Sequence, residues 1–95
     1  MVRVRWTEPA FESLRNHADF IAKDDFEQAR RLVLRVNEAV ERLKQFASMG
    51  RPGRISDTRE LIIAGTPYIL AYRIRGDAVE LLRILHAAQD WPAEF

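Results

Sequence analysis

Few side chains in this 95-residue chain are able to do chemistry. There is no cysteine, which excludes thiol catalysis, a disulfide framework and a thiolate metal site. Two histidines remain as groups whose ordinary pKa, about 6.5, lies near neutrality. His86 closes an apolar run and has two readings: a general acid or base, or a strand-end residue bonded to a backbone carbonyl, the commoner fate of a lone histidine. His17 falls inside a helical segment and has no evident partner. Without His-x-x-x-His spacing, no metal or cofactor is expected. Tyr68 and Tyr72, four apart on a strand, point to one face, where core packing with hydroxyls at the rim is favoured over base stacking.

The more abundant resource is arginine, which supplies 13 of the 15 basic residues and suits bidentate contact with carboxylate or phosphate. Net charge is only +1, but its distribution is uneven. Between Gln28 and Arg59 eight basic residues face three acids, and the remainder of the chain is net negative. This segment is either a solvated helix face followed by a basic loop, or a surface for a polyanion or an acidic partner. Arg51 and Arg54 sit on a loop with no acid at helical spacing and are the first candidates for contact with a target. Arg59, Glu60, Arg73, Arg75 and Arg83 lie on strands, where they can form cross-strand ion pairs; the alternative for Arg73 and Arg83 is that they receive acidic side chains of a partner.

Periodicity supplies the framework that carries these residues. Val2, Val4 and Trp6 alternate with Arg3 and Arg5, so residues 1–6 read as a half-buried strand and not a signal peptide. Thr7 and Pro9 are a cap and an early-turn proline for a helix whose stripe is Phe11, Leu14, Ala18 and Ile21, ending near Ala22 or Lys23. Asp24 with Glu27 reads as a capping box for a longer second helix. Its stripe, Ala29, Leu32, Val33, Val36, Val40, Leu43 and Phe46, runs to about Ala47, and the short link makes an antiparallel hairpin. Met49 to Arg54 holds two glycines and a proline and is a turn. Three strands come next, Arg59 to Ala64, Tyr68 to Arg75 and Ala78 to about His86, joined tightly enough to be antiparallel.

The expected fold is therefore α+β in the order β-α-α-β-β-β, one domain over residues 1–95, with the helices packed on one face of the sheet. No run reaches the roughly 18 apolar residues of a membrane span, and a soluble cytoplasmic protein is expected. The strands carry apolar residues on both phases: Leu61 and Ile63 against Ile62 and Ala64, then Leu81 and Leu85 against Leu82 and Ile84. A sheet with one wet face should alternate cleanly. The second face is covered either by the tail, with Trp91 as a plug, or by a partner; the shortness of residues 87–95 favours the partner.

Several stretches in this order resemble the RelE/ParE superfamily of bacterial type II toxins, its ParE branch most closely. They are Trp6-Thr7-Glu8-Pro9-Ala10, Gly50-Arg51-Pro52-Gly53-Arg54, Thr58-Arg59-Glu60-Leu61, Pro67-Tyr68-Ile69-Leu70-Ala71-Tyr72-Arg73 and Arg83-Ile84-Leu85-His86. Singly each is weak, but their order and spacing across nearly the whole chain are specific. The resemblance implies the same strand and helix order, and a cognate antitoxin that wraps the surface. Ile62, Ile69, Arg73, Leu82, Arg83 and Ile84 are the expected antitoxin contacts; DNA would be met only indirectly, through the antitoxin.

Two activities are known in the superfamily: cleavage of messenger RNA on the ribosome and poisoning of DNA gyrase. Metal-free RNA cleavage needs a base, an acid and cations where the phosphorane charge develops. In the RelE-like ribonucleases an arginine follows the tyrosine that opens the third strand, and lysines stand on the strand before. Here Ile69 follows Tyr68, and the lysine positions match Glu60 and Ile62. Losing one oxyanion contact costs about 2.7 to 4 kcal/mol of barrier. The expectation is a non-catalytic gyrase inhibitor with Arg51, Arg54 and Trp91 contacting the target. The alternatives are an endoribonuclease using Arg59, Arg83 and His86, with ribosome and messenger RNA as partners, or a degenerate toxin that binds only its antitoxin.

Overall fold

The computed structural model describes residues 2–95, and Met1 of the expected first strand lies outside them. In chain order the elements are β1 (Arg3–Trp6), α1 (Glu8–Ala22), α2 (Phe26–Gln45), β2 (Arg51–Pro52), β3 (Arg59–Ile62), β4 (Tyr68–Arg75) and β5 (Ala78–His86). Thr7 caps α1 by accepting a hydrogen bond from the Ala10 amide at 3.2 Å, and its own hydroxyl donates to the Leu81 carbonyl at 2.7 Å. One side chain thus both starts the helix and ties it to β5. The cap of α2 is Asp25, which accepts from Gln28 N at 3.1 Å, and not Asp24. The amide of Asp24 is engaged with the Ile21 carbonyl, closing the end of α1, so the second helix starts one residue later than the capping-box pattern implies.

The sheet has the order β1-β5-β4-β3-β2. The β3–β4 and β4–β5 pairs are antiparallel as expected, whereas β1 runs parallel to β5, so the sheet is mixed. Both helices lie on one face over a core that includes Ala10, Leu14, Val36, Leu43, Leu70, Tyr72, Leu81 and Ile84. Burial of side chains such as Leu43 and Val36 contributes roughly 1.5–3 kcal/mol each. The two-residue β2 lies in what the glycine and proline content marks as a turn; Pro52 is tolerated because β2 is an edge strand.

α2 ends at Gln45, short of Ala47, and Phe46 is 63% exposed instead of completing the apolar stripe. The cause is the anchoring of residues 47–50 to the sheet. The Ala47 carbonyl accepts from the Tyr72 hydroxyl at 2.7 Å, and the Ser48 and Gly50 carbonyls accept from Arg59 Nη1 at 3.1 and 2.9 Å. These bonds draw the chain off the helix axis and down onto the strands. Gly50 is needed where it passes Tyr72, because a Cβ there would stand 2.6 Å from the tyrosine oxygen and 3.0 Å from the Glu60 carbonyl. Phe11, also expected in the apolar stripe, is 57% exposed on the outer side of α1.

One irregularity reorders the faces. Tyr72 is opposite Leu81 but Ala71 is opposite Arg83, leaving Leu82 as an extra residue in β5. An extra residue inverts the alternation beyond it. Leu81 and Ile84 consequently both join the helix-side core, while Leu85, opposite Ile69, lies on the second face.

Tyr72 is fully buried, and its hydroxyl serves two backbone groups, Gly50 N at 2.9 Å and Ala47 O. Tyr72→Phe leaves both without a partner and is expected to cost about 1–3 kcal/mol. The measurement is denaturant unfolding at unchanged slope; a loss below about 0.5 kcal/mol would show that the loop is held by other means.

Candidate functional site

The face of the sheet turned away from the helices is organised by two glutamates enclosed among arginines. On β3, Glu60 is 3% exposed. Its Oε1 accepts from Arg51 Nη2 at 3.0 Å, and its Oε2 accepts from the Arg54 amide at 2.8 Å with Arg54 Nε at 3.7 Å. The two-residue β2 places Arg51 opposite Glu60, which explains why a loop without a local acid is nevertheless ion-paired. On β5, Glu80 is 5% exposed and sits opposite Arg5 of β1 and Arg73 of β4. Arg5 donates to it through Nε at 3.1 Å and also through Nη2, Arg73 Nε donates at 2.7 Å, and Arg75 Nε lies 3.7 Å away. Each carboxylate has more than one arginine, so the face keeps a net positive charge.

The hydrogen bonds from Arg5, and then from Arg73, hold the Glu80 carboxyl well below the usual carboxylate range, at about 2. Neither cross-strand reading of these arginines displaces the other: Arg73 does pair across the sheet, and its cluster still carries excess charge.

The tail lies over this face. The Arg54 guanidinium stacks 3.6 Å above the Trp91 ring, and Arg83 stands 5.8 Å from the Phe95 ring centre. Ile69, Leu82 and Leu85, on the face without helices, are nevertheless buried, while Ile62 remains 56% exposed. Residues 87–95 therefore cover much of what periodicity leaves to a partner. Arg51, Arg54 and Trp91 are brought together around Glu60. Ile62, Ile69, Arg73, Leu82 and Arg83 share the second face; Ile84 does not, being fully buried under the helices because of the extra residue at Leu82.

Arg59, Arg83 and His86 are not assembled. Arg59 is opposite Tyr72 on the helix side, where it binds backbone carbonyls, and Arg83 is opposite Ala71 on the other side. His86 is opposite Tyr68, four residues along β4 from Tyr72, or about 13 Å at the usual rise. Its Nδ1 accepts from the Ala88 amide at 3.0 Å, a backbone N–H in place of the expected carbonyl. His17 has partners that its sequence neighbours do not reveal: Nε2 lies 3.0 Å from the Ile84 carbonyl, and its ring packs 4.8 Å from Tyr68, which in turn meets His86 edge-on at 5.1 Å. Burial lowers the His17 pKa, against the Ile84 hydrogen bond, which raises it, and with a further small lowering from His86. Burial likewise raises the pKa of Tyr68 and of Tyr72.

A helical hairpin on one side of a mixed sheet and an arginine-dotted, tail-covered surface on the other define a small α+β domain. The chain belongs to the ParE family, toxins of type II toxin–antitoxin systems of the parDE kind, whose family model matches residues 4–91. It is 48% identical to toxin Y4kP of Sinorhizobium fredii over 90 residues, which cover 95% of this chain and 93% of that protein. It is 32% identical to toxin RelE2 of Caulobacter vibrioides, with 94% and 99% covered. Its fold is similar to a solved chromosomal ParDE system from P. aeruginosa, with a TM-score of 0.80 at 28% identity over 90% of this chain and 96% of that one. A copper-bound mutant toxin from Helicobacter pylori, at a TM-score of 0.58 and 18% identity over 88% and 92% of the two chains, shares the fold alone.

The depressed pKa of Glu80 has a signed consequence. Because it is lower in the folded state, its stabilisation is complete above the ordinary value of 4.5 and is lost as pH falls towards about 2. Glu80→Gln is expected to destabilise the protein at neutral pH and to flatten the decline of stability between those values. Parallel acid melts of the two proteins would count against the assignment.

Proposed function

We propose that this toxin inhibits DNA gyrase by binding it, without covalent chemistry of its own, and is neutralised by a cognate antitoxin in the cytoplasm. The observation that carries this reading is the grouping of Arg51, Arg54 and Trp91 around Glu60, which gives a stacked aromatic and two guanidinium groups on one edge of the sheet. Arginine and tryptophan are the residues on which protein interfaces most often concentrate their energy. Ion pairing to Glu60 orders these side chains before a target arrives, which reduces the entropy lost on binding. The separation of Arg59, Arg83 and His86 onto two faces supports binding over RNA cleavage, because proton transfer requires groups within hydrogen-bond reach of one substrate. The similarity to a solved ParDE system supports an antitoxin partner. The still exposed Ile62, opposite Ile69 on the face that also carries Arg73, Leu82 and Arg83, is the surface assigned to it.

Purified protein added to a gyrase supercoiling reaction is expected to block it or to trap cleaved DNA. Arg54→Ala should require about tenfold more protein for the same effect. Unchanged supercoiling at stoichiometric excess would remove gyrase as the target, and cut message in a cell-free translation reaction would turn the reading towards a ribonuclease.

A further inference from the structure

The segment that covers the second face of the sheet begins at a turn closed by an imidazole. The His86 carbonyl accepts from the Gln89 amide at 3.1 Å, the His86 amide donates to Gln89 Oε1 at 2.7 Å, and His86 Nδ1 accepts from the Ala88 amide at 3.0 Å. A backbone N–H can only donate, so the ring nitrogen that meets it must carry a lone pair and no proton. Among the described residues, Gln89 is the last of the tail to be tied down by a backbone amide. Beyond it lie the stacking of Trp91 with Arg54 and the approach of Phe95 to Arg83.

That cover is held with little to spare. Trp91 Nε1 and Arg83 Nε are buried without acceptors among the described residues, and both regain water when the tail lifts. Segments held in this way open at low free-energy cost. We infer that His86 is a proton-operated latch: its neutral ring holds residues 88–95 over the arginine face, and its imidazolium releases them. Protonation turns Nδ1 from an acceptor into a donor and leaves two N–H groups pointed at each other. Loss of one such hydrogen bond raises the open-to-closed ratio about fivefold.

The groups packed around His86 leave the proton to this ring. Opposite it on β4 is Tyr68, whose pKa burial raises, so the phenol stays uncharged. Beyond Tyr68, on α1, stands His17, whose pKa is lowered by burial, against the Ile84 hydrogen bond, with a further lowering from His86. Arg83 projects from the opposite face of β5. The acids of the tail, Asp90 and Glu94, form no ion pair with His86 among the described residues. Ordinary imidazole titrates at about pH 6.5, so the cover is complete above that region and is lost as pH falls through it. Glu80, held at about 2, keeps its charge throughout.

The test is NMR of the isotopically labelled full chain in the presence of a soluble gadolinium chelate, stepped from about pH 7.5 to about pH 5.5 across the imidazole range. Broadening of the Trp91 indole signal reads the lifting of the tail, with the Trp6 indole on β1 as internal reference, and the His86 ring signals read its protonation. The open fraction is expected to rise about fivefold, with the midpoint of the His86 ring. His86→Asn keeps an acceptor in nearly the same place and has no proton to gain, so its tail should stay closed across the range. His86→Phe has no acceptor, and its tail should already be open at the upper end. Broadening that does not change, a change that follows the His17 ring instead, a tighter cover in acid, a pH response retained in His86→Asn, or a closed tail in His86→Phe would each overturn the inference. Should His86→Phe not fold, the wild-type titration and His86→Asn decide the matter. No partner takes part, so the outcome is independent of whether gyrase is the target.

Discussion

A carboxylate removed from water must be matched by positive charge and by hydrogen bonds, because an isolated buried charge is far costlier than a neutral group. Glu60 and Glu80 impose that constraint on the face of the sheet that the helices leave open. Satisfying them fixes five arginines drawn from three strands and one loop: Arg5, Arg51, Arg54, Arg73 and Arg75. The short β2 exists as a strand only in its pairing with Glu60 and Arg59 of β3, and the parallel docking of β1 puts Arg5 beside Glu80. The acids are the organisers, and the arginines are what the organisation presents.

Each cluster holds more cations than anions, so its guanidinium groups share a carboxylate that cannot neutralise all of them. Here Arg75 reaches Glu80 only at 3.7 Å and, among the described residues, the buried Arg83 Nε has no hydrogen-bond partner. Aromatic side chains of the tail take up part of that surplus by stacking, Trp91 on Arg54 and Phe95 near Arg83. Stacking screens a guanidinium from water without neutralising it, so the face remains attractive to negative charge while Ile69, Leu82 and Leu85 stay covered.

Much of this is legible from residue order, and the hidden parts have local causes. Helix periodicity locates α1 and α2, and the tight connections fix the antiparallel pairs, because these are properties of neighbouring residues. The pairing of Arg51 with Glu60 is hidden, since it depends on a strand of two residues that glycine and proline disguise as a turn. His17 looks partnerless in the sequence because its carbonyl acceptor, on Ile84, lies in the most distant strand of the chain. The face of Ile84 is concealed for a sharper reason. Alternation counts every residue equally, and the extra residue at Leu82 shifts the count by one, which moves Ile84 under the helices and Leu85 out from under them. A bulge of this kind leaves no compositional mark in a run such as Val79-Glu80-Leu81-Leu82-Arg83-Ile84, where every residue suits a strand.

The same bulge sets which face of the sheet Arg83 and His86 each take. With Leu82 inserted, Arg83 faces the arginine side and His86 faces Tyr68 and His17 on the helix side. Arg83 and His86 are three residues apart in the regular part of β5, and that odd spacing puts the guanidinium and the imidazole on opposite faces of the sheet. His86 is further committed to its own turn by accepting the Ala88 amide. What remains on the open face is guanidinium, indole and aliphatic side chains, held in position by two acids that cannot leave without leaving their own charges unmet. Groups of that kind are suited to recognising a surface.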